Sequence, residues 1–224
     1  MKYYLRKNLK YRKVIGGSNS PNVEDAIFRL QGKVLNNMYK LPSNKNITTS
    51  LDFGCGQGST VNFFHQAGYD AYGIDICKGD IEIAKRRYPY IADKFKLCKP
   101  DVFKTPLKKF TDNKKISLIT GHRSLMYFDK EDFEKLLKNF NNSMTSNGLL
   151  YASMMSTKST FFQYTKRSKF EWLRERVSKK TFNLDYMFFC ESKKDVVKKF
   201  SIFKKMLIGS YHYQLDENDK LTHY

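Results

Sequence analysis

The 224-residue sequence lacks the features typical of a membrane-spanning, zinc-stabilised or disulfide-stabilised protein. No apolar run approaches the roughly 18 residues of a membrane-spanning helix, which argues against an integral membrane protein. Its four cysteines are scattered, with no Cys-x-x-Cys pair and no neighbouring histidine, which argues against a structural zinc and a disulfide framework. The basic N-terminal residues lead into no apolar core, so no signal peptide is predicted. These absences predict a cytoplasmic location.

Positive charge is the strongest feature of the composition. Lysine and arginine number 41 against 22 acidic residues, which gives a formal net charge of +19. Such a charge suits an anionic partner, whether RNA, an acidic membrane surface, or a phosphorylated or carboxylated small molecule. The lysines occur in short pairs such as Lys108-Lys109 and Lys204-Lys205, where solvated faces are expected, so compositional drift is the favoured explanation of the charge. Charge alone therefore assigns no partner.

Strand-like and helix-like segments alternate between Leu51 and Met155. After the first strand, further strands are predicted at 71–74, 95–98, 116–120 and 149–155. The helix after Asp129 is predicted from the spacing of Phe133, Leu136, Leu137 and Phe140. This alternation predicts parallel pairing with helices on both faces of one sheet. Ligands of such sheets bind at the carboxyl ends of the strands.

The pattern is looser outside this region. Helical spacing predicts a helix at 23–38. The aromatic and basic stretch 161–167 precedes a predicted helix around Trp172. A second helix is predicted at 193–199, followed by an antiparallel hairpin around the polar turn 216–219.

The segment Leu51–Ser59 carries the clearest functional signal, since a short strand ends at Asp52 and enters a turn with glycines at alternate positions. Glycines tolerate positive φ and let a ligand approach the backbone where a Cβ would block it. A dinucleotide fingerprint needs Gly-x-Gly-x-x-Gly, but here Ser59 takes the final position and position 58 adds a glycine. That fingerprint also has no acid just before its glycines. Asp52 suits a cationic ligand instead.

The run Asp52-Phe53-Gly54-Cys55-Gly56-Gln57-Gly58 resembles the first motif of the class I S-adenosylmethionine-dependent methyltransferases. The family's second marker is an acid that ends the next strand and binds the ribose hydroxyls, and Asp75 lies 23 residues after Asp52. Its third marker is an acid or amide beside the adenine, which Asp101 matches. The resemblance covers about residues 45–155.

The resemblance, together with the alternation, predicts an α/β three-layer sandwich with a mostly parallel seven-stranded sheet and a C-terminal antiparallel hairpin. It implies S-adenosyl-L-methionine as cofactor, S-adenosyl-L-homocysteine as product, and no metal. The cofactor-binding residues predicted in this way are Asp52, Gly54, Cys55, Gly56, Gly58, Asp75, Ile76, Asp101, Val102 and Thr120. One domain, 1–224, is expected, comprising an N-terminal helical extension (1–44), a cofactor-binding core (45–155), an acceptor-side lid (156–190) and a C-terminal helix and hairpin (191–224).

The acceptor side is expected where the fourth strand ends, at Thr120-Gly121-His122-Arg123. His122 is the first choice for a general base, because imidazole titrates near physiological pH, although packing against the cofactor's methionine part explains it equally. Arg123 suits a bidentate contact with an anionic acceptor, or a helix-side ion pair. The Asn/Asp-Pro-Pro-Tyr/Phe motif of enzymes that methylate exocyclic amines is missing, which argues against DNA as the substrate.

Three functions stay open. The first is methyl transfer to a small-molecule acceptor, at an oxygen of a sugar, a phosphorylated or an acidic metabolite, including surface-polysaccharide precursors. The lid aromatics, among them Phe161, Phe162, Tyr164, Trp172 and Phe182, would cover that acceptor. The second is RNA methylation, with the stretch 161–167 stacking on bases. The third is a non-catalytic cofactor-binding subunit. No oligomeric state is predicted.

Overall fold

The computed structural model describes residues 49–177, 186–205, 208–214 and 220–223. The predicted N-terminal helical extension, 1–44, lies outside the described residues, and so does Phe182 of the predicted lid. Within the described ranges, no helix combines the length and apolarity needed to cross a membrane.

A parallel sheet of five strands forms the centre of the described structure. The strands are β1 (Thr49–Phe53), β2 (Asp70–Asp75), β3 (Phe95–Leu97), β4 (Ile116–His122) and β5 (Met144–Ser153). Their order is β3-β2-β1-β4-β5. All five residues of β1 are buried, as expected of a strand covered on both faces. Because the strand order reverses at β1, a crevice is expected at the carboxyl ends of β1 and β4.

Helices cover both faces of this sheet. Helices α1 (Ser59–Gln66) and α2 (Lys78–Arg87) contribute to one apolar core and α3 (Lys130–Ser143) to the other. The Asp129 side chain caps α3 by accepting a hydrogen bond from the Asp132 N–H at 3.0 Å. The apolar face that α3 buries is the one predicted from spacing, namely Phe133, Leu136, Leu137 and Phe140. Four short 3₁₀ turns lie between α2 and α3 in the chain, at Pro89–Lys94, Val102–Lys104, Leu107–Phe110 and Leu125–Tyr127.

The chain after β5 forms two smaller sheets. Its elements are α4 (Thr160–Gln163), β6 (Thr165–Arg167), β7 (Leu173–Arg176), β8 (Tyr186–Phe188), α5 (Lys193–Lys199), β9 (Tyr211–Gln214) and β10 (Lys220–His223). Strands β6, β7 and β8 form an antiparallel sheet in that order. Strands β9 and β10 pair with each other in antiparallel fashion, which confirms the predicted C-terminal hairpin.

Two predictions for this part of the chain are wrong. The main sheet has five described strands, not seven, because β6–β8 pair among themselves and β9 pairs only with β10. No described strand therefore extends the main sheet beyond β5. The predicted helix around Trp172 is also absent from the described residues. Trp172 has φ +70°, a left-handed conformation that a right-handed helix does not accept, and β7 begins at the next residue.

An ion-pair network lies at the start of β2, at the opposite end of the sheet from the crevice. The Tyr72 hydroxyl lies 2.9 Å from an Asp70 carboxylate oxygen and 2.7 Å from one of Asp112. Lys94 donates to Asp70 at 2.9 Å, and Lys96 donates to Asp112 at 2.7 Å. The Lys96 hydrogen bond, with the Tyr72 hydroxyl, lowers the pKa of Asp112 from 3.8 to about 2.

Replacing Asp112 with asparagine should make the free energy of unfolding depend less on pH at acidic pH. Because the pKa of Asp112 is lower in the folded chain, its contribution is present above the unfolded pKa and is lost as pH falls toward 2. The difference in unfolding free energy between wild type and Asp112→Asn should therefore shrink between about pH 4 and pH 2. Asparagine tolerates the φ of +51° at this position, so the backbone is kept. Urea unfolding at several pH values measures the difference.

The matched control is Asp93→Asn, which removes an exposed carboxylate that has no ion pair among the described residues. Its stability difference from wild type should vary less with pH than that of Asp112→Asn. If the difference in unfolding free energy between wild type and Asp112→Asn stays constant from pH 5 to pH 2, the role given to the Lys96 hydrogen bond is contradicted.

Candidate functional site

The carboxylate of Asp75 organises the turn after β1. Its Oδ2 accepts a hydrogen bond from the Gly56 N–H at 2.9 Å, and its Oδ1 accepts one from the Cys77 N–H at 2.8 Å. The N–H groups of Gly54 and Cys55 donate to the Ile74 carbonyl at 2.8 and 3.0 Å. The side chain of Asp75 is 1% exposed. The predicted glycine motif and the predicted ribose acid are therefore joined directly, through backbone donors.

The glycines of this turn differ in what surrounds them. Gly54, Gly56 and Gly58 have φ of +75°, +51° and +88°. A Cβ at Gly58 would lie 2.5 Å from a Phe95 ring carbon, and one at Gly54 would lie 2.5 Å from the Ser124 Cβ. A Cβ at Gly56 would meet no protein atom within 4 Å. Packing therefore requires glycine at 54 and 58, whereas position 56 faces space that a ligand can approach.

A second buried carboxylate lies at the end of β1. The Thr120 hydroxyl, on β4, donates to Asp52 Oδ1 at 2.6 Å, and both side chains are buried. The register of β1 and β4 places these residues directly opposite each other. Thr120 was predicted as a cofactor contact, and in the structure it holds Asp52.

The residues predicted around the adenine lie close to the third strand. Val102 is buried and begins a 3₁₀ turn, and Ile76 is half-buried against the core next to α3. The Asp101 carboxylate is partly exposed and lies 3.7 Å from the Lys104 ammonium. The Cys98 N–H donates to the Asp75 carbonyl at 2.9 Å, which ties this segment to β2. Burial, with the charge of Asp75, raises the pKa of the Cys98 thiol to about 12, so this thiol stays protonated.

The predicted acceptor residues follow Thr120 on β4. His122 ends this strand, half-buried, with its ring centroid 6.4 Å from that of Tyr151. Arg123 has φ +55°, and its backbone N–H donates to the Ser153 hydroxyl at 3.0 Å. The hydrogen bond fixes the direction in which the chain leaves β4. Both residues lie at the carboxyl ends of β4 and β5, the edge predicted for the acceptor.

Ser124 was missed by sequence analysis. It is 6% exposed, and its hydroxyl has no hydrogen-bond partner among the described residues. Its Cβ lies against Gly54, so it connects the loop after β4 to the glycine turn. The sequence signal that could have identified Ser124 was its position two residues after the candidate base, His122. A buried hydroxyl at this junction is suited to hydrogen-bond a ligand that lies along the turn.

The site therefore combines two buried carboxylates, a glycine turn open at Gly56, and a histidine and an arginine at the adjoining strand end. The carboxylates suit hydroxyl groups or a positive charge as ligands. Within the described residues, no three His, Cys, Asp or Glu side chains gather as metal ligands would.

Comparison with known proteins agrees with this geometry. Residues 51–148 match the family model described as "Methyltransferase domain". No curated protein sequence matches the chain. Among solved structures, an S-adenosylmethionine-dependent methyltransferase from Anabaena variabilis is 16% identical, with a TM-score of 0.65 over 96% of this chain and 92% of that chain. One from Clostridium acetobutylicum is 15% identical, with a TM-score of 0.60 over 95% and 94%.

The similarity extends to a structure with the cofactor product bound. Magnesium protoporphyrin IX methyltransferase from Synechocystis, solved with S-adenosylhomocysteine, is 13% identical, with a TM-score of 0.57 over 95% of this chain and 90% of that chain. At these identities the likeness establishes a shared fold.

Proposed function

Because residues 51–148 place this chain in the class I S-adenosylmethionine-dependent methyltransferase family, we propose that it transfers a methyl group to an oxygen of a small-molecule acceptor. A sugar, a phosphorylated metabolite or an acidic metabolite fits best, and a surface-polysaccharide precursor belongs to this class. The observation that carries the proposal is the fixed, buried Asp75 carboxylate beside the glycine turn. The porphyrin named for one structural neighbour supports a small-molecule acceptor.

The described residues fit the cofactor. Asp75, held by the Gly56 and Cys77 N–H groups, would accept hydrogen bonds from the ribose hydroxyls. Gly56 leaves room for the nucleoside to lie against the backbone. Asp52, which accepts a hydrogen bond from Thr120, would supply negative charge to a positively charged cofactor. When bound, S-adenosylmethionine supplies a methyl group on a positively charged sulfur, which leaves as a neutral thioether.

The chain's own residues then position the acceptor and move one proton. The acceptor oxygen uses a lone pair to form the new bond to the methyl carbon as the carbon–sulfur bond breaks. An imidazole nitrogen of His122 takes the hydroxyl proton as general base. Placing the acceptor in line with the breaking bond supplies up to several kcal/mol through pre-organisation. In this proposal the side chain of Arg123, whose backbone N–H donates to Ser153, would hold an anionic part of the acceptor.

Replacing His122 with glutamine should lower kcat by about 100-fold or more, the usual contribution of a general base. The affinity for S-adenosylhomocysteine should change less than about twofold, because the base acts only on the acceptor. In the wild type, kcat/KM should fall at low pH as the base becomes protonated. This decrease at low pH should be absent in the variant, which has no base at position 122. Release of S-adenosylhomocysteine measures turnover.

The matched control is His65→Gln, on the exposed side of α1, which should leave both turnover and its pH profile unchanged. A His122→Gln variant with wild-type kcat would assign His122 a packing role instead.

The acceptor itself is tested by a turnover screen against sugar phosphates, nucleoside diphosphate sugars, carboxylate metabolites and RNA. Turnover with a small molecule supports the proposal. Turnover with RNA alone would favour the second function. Cofactor binding without turnover on any of these would favour a non-catalytic subunit.

We also infer a reducing, cytoplasmic location. All four cysteines are buried as thiols. Burial raises the pKa of Cys98 and of Cys190 to about 12, so neither is reactive. Buried unpaired thiols of this kind are typical of proteins kept in reducing compartments.

A further inference from the structure

Three arginines share one face of the small antiparallel sheet. In the register of β6 and β7, Arg167 lies opposite Arg174 and Thr165 lies opposite Arg176. Because side chains alternate between the two faces of a strand, these four residues point to the same side. Lys166 and Glu175 point to the other. The face formed by Arg167, Arg174 and Arg176 is called the arginine face below.

Arg174 is held rigidly on this face. Its Nε and Nη2 donate to the hydroxyl and the carbonyl of Thr165 at 2.7 and 2.8 Å. Its guanidinium carbon lies 4.4 Å from the centroid of the Phe162 ring. A guanidinium has five N–H donors, and the described residues provide no further acceptor for those of Arg174. The guanidinium of Arg174 is therefore held in one orientation, and its remaining N–H groups can donate hydrogen bonds to a ligand.

The charges of two arginines on this face, Arg167 and Arg174, are not balanced by the described residues. Neither Arg167 nor Arg174 forms an ion pair with a carboxylate anywhere in the described ranges. Like charges placed directly opposite across two strands destabilise a sheet. Burial, together with the charge of Arg167, lowers the pKa of Arg174 from its usual value. An anion lying between the guanidinium groups would relieve both effects.

The small sheet that carries the arginine face is anchored on the acceptor side of the fold. The chain reaches β6 soon after Ser153, the residue that accepts the Arg123 N–H. Strand β8, the partner of β7, packs against the turn Leu125–Tyr127 directly after the His122 strand end. The small sheet is thus anchored to the elements that carry the predicted base.

We propose that Arg167 and Arg174 bind an anionic group of the methyl acceptor, a phosphate or a carboxylate. The inference rests on the proposed function and names its substrate class. Guanidinium groups match both anions because they form paired N–H···O bonds in one plane. The aromatic ring under Arg174 keeps the guanidinium plane fixed when the anion arrives.

Calorimetric titration with inorganic phosphate, and separately with succinate, tests the site on the full chain. We expect one of the two to bind, and its affinity to fall about tenfold or more in Arg174→Gln and in Arg167→Gln. The matched control is Lys166→Gln, which removes the same charge from the opposite face of β6 and should change affinity less than about twofold. The anion that binds identifies the acceptor group as phosphate or carboxylate.

Three results would overturn the inference. They are no binding of either anion, an equal loss of affinity in Lys166→Gln, and arginine-dependent binding of single-stranded RNA that neither anion displaces. Titration of the same samples with S-adenosylhomocysteine separates the two proposals. If it binds while no arginine-dependent anion binding is found, only the arginine face is refuted. If it does not bind, the proposed function itself fails.

Discussion

Alanine at position 75 is expected to weaken the binding of S-adenosylmethionine by at least about 100-fold. Hydrogen bonds to a charged group contribute about 1.5–3 kcal/mol each, and Asp75 is proposed to accept from two ribose hydroxyls. Each 1.4 kcal/mol corresponds to a tenfold change in affinity. The variant also removes the acceptor for the Gly56 and Cys77 N–H groups, so the glycine turn loses its support. Isothermal titration calorimetry measures the affinity.

The control for Asp75→Ala is Glu82→Ala, which removes a carboxylate of the same charge from the exposed side of α2. Its ion pair with Lys78, at 3.7 Å on the surface, contributes little to stability, so binding should be unchanged. Circular dichroism and thermal unfolding show whether Asp75→Ala is folded at the titration temperature. Wild-type affinity in a folded Asp75→Ala protein would exclude Asp75 from the cofactor site.

The parts of the fold that sequence predicted well are those fixed by local pattern. Strand β2 contains the run Ala71–Ile74, and β4 contains Ile116, Leu118 and Ile119; these residues are buried because both faces of the sheet are covered. Helix α3 was recognisable because a capping residue, Asp129, directly precedes it and because its buried residues recur at helical spacing. Each of these signals lies within about ten residues, so no knowledge of distant contacts is needed.

The prediction of a helix around Trp172 failed because the conformation of this segment depends on distant contacts. Its aromatic and basic residues show no period that separates helix from strand. What decides the conformation is distant: the Trp172 ring packs 5.9 Å from Phe133 of α3, and Lys130 donates its backbone N–H to the Glu171 carbonyl. The segment after Trp172 enters β7 of a separate antiparallel sheet instead of a helix. Among the described strands, the main sheet lacks the sixth and seventh predicted strands because β9 and β10 pair with each other.

The candidate site likewise contains some residues that the local sequence pattern predicts and others that only contacts between segments reveal. Asp52, the glycines and Asp75 lie at the ends of adjacent strands, and their spacing along the chain is set by one helix and one strand. Ser124 reaches the glycine turn only through space, by packing on Gly54. The opposition of Arg167 and Arg174 depends on the pairing of β6 with β7, and a helix was predicted around Trp172, directly before β7. Contacts between segments, rather than patterns within them, account for what sequence analysis missed.

Alanine at position 58 is expected to destabilise the folded chain far more than alanine at position 68. Both glycines have nearly the same left-handed backbone, with φ of +88° and +89°. A side chain in that region costs roughly 1–2 kcal/mol at either position. At Gly58 the added Cβ would also lie 2.5 Å from the Phe95 ring and 3.1 Å from the Ala84 Cβ, whereas at Gly68 it meets nothing within 4 Å.

The clash should add about 1–3 kcal/mol to the cost at Gly58, because Phe95 is buried and 1% exposed and cannot move aside. Urea unfolding measures the free energy of unfolding of Gly58→Ala, Gly68→Ala and wild type. Leucine at 95 lacks the two ring carbons nearest the new Cβ, so Phe95→Leu should cost less in the Gly58→Ala background than alone, by about 1 kcal/mol or more. Equal destabilisation by Gly58→Ala and Gly68→Ala, with additive effects of Phe95→Leu, would mean that backbone conformation alone requires glycine at 58.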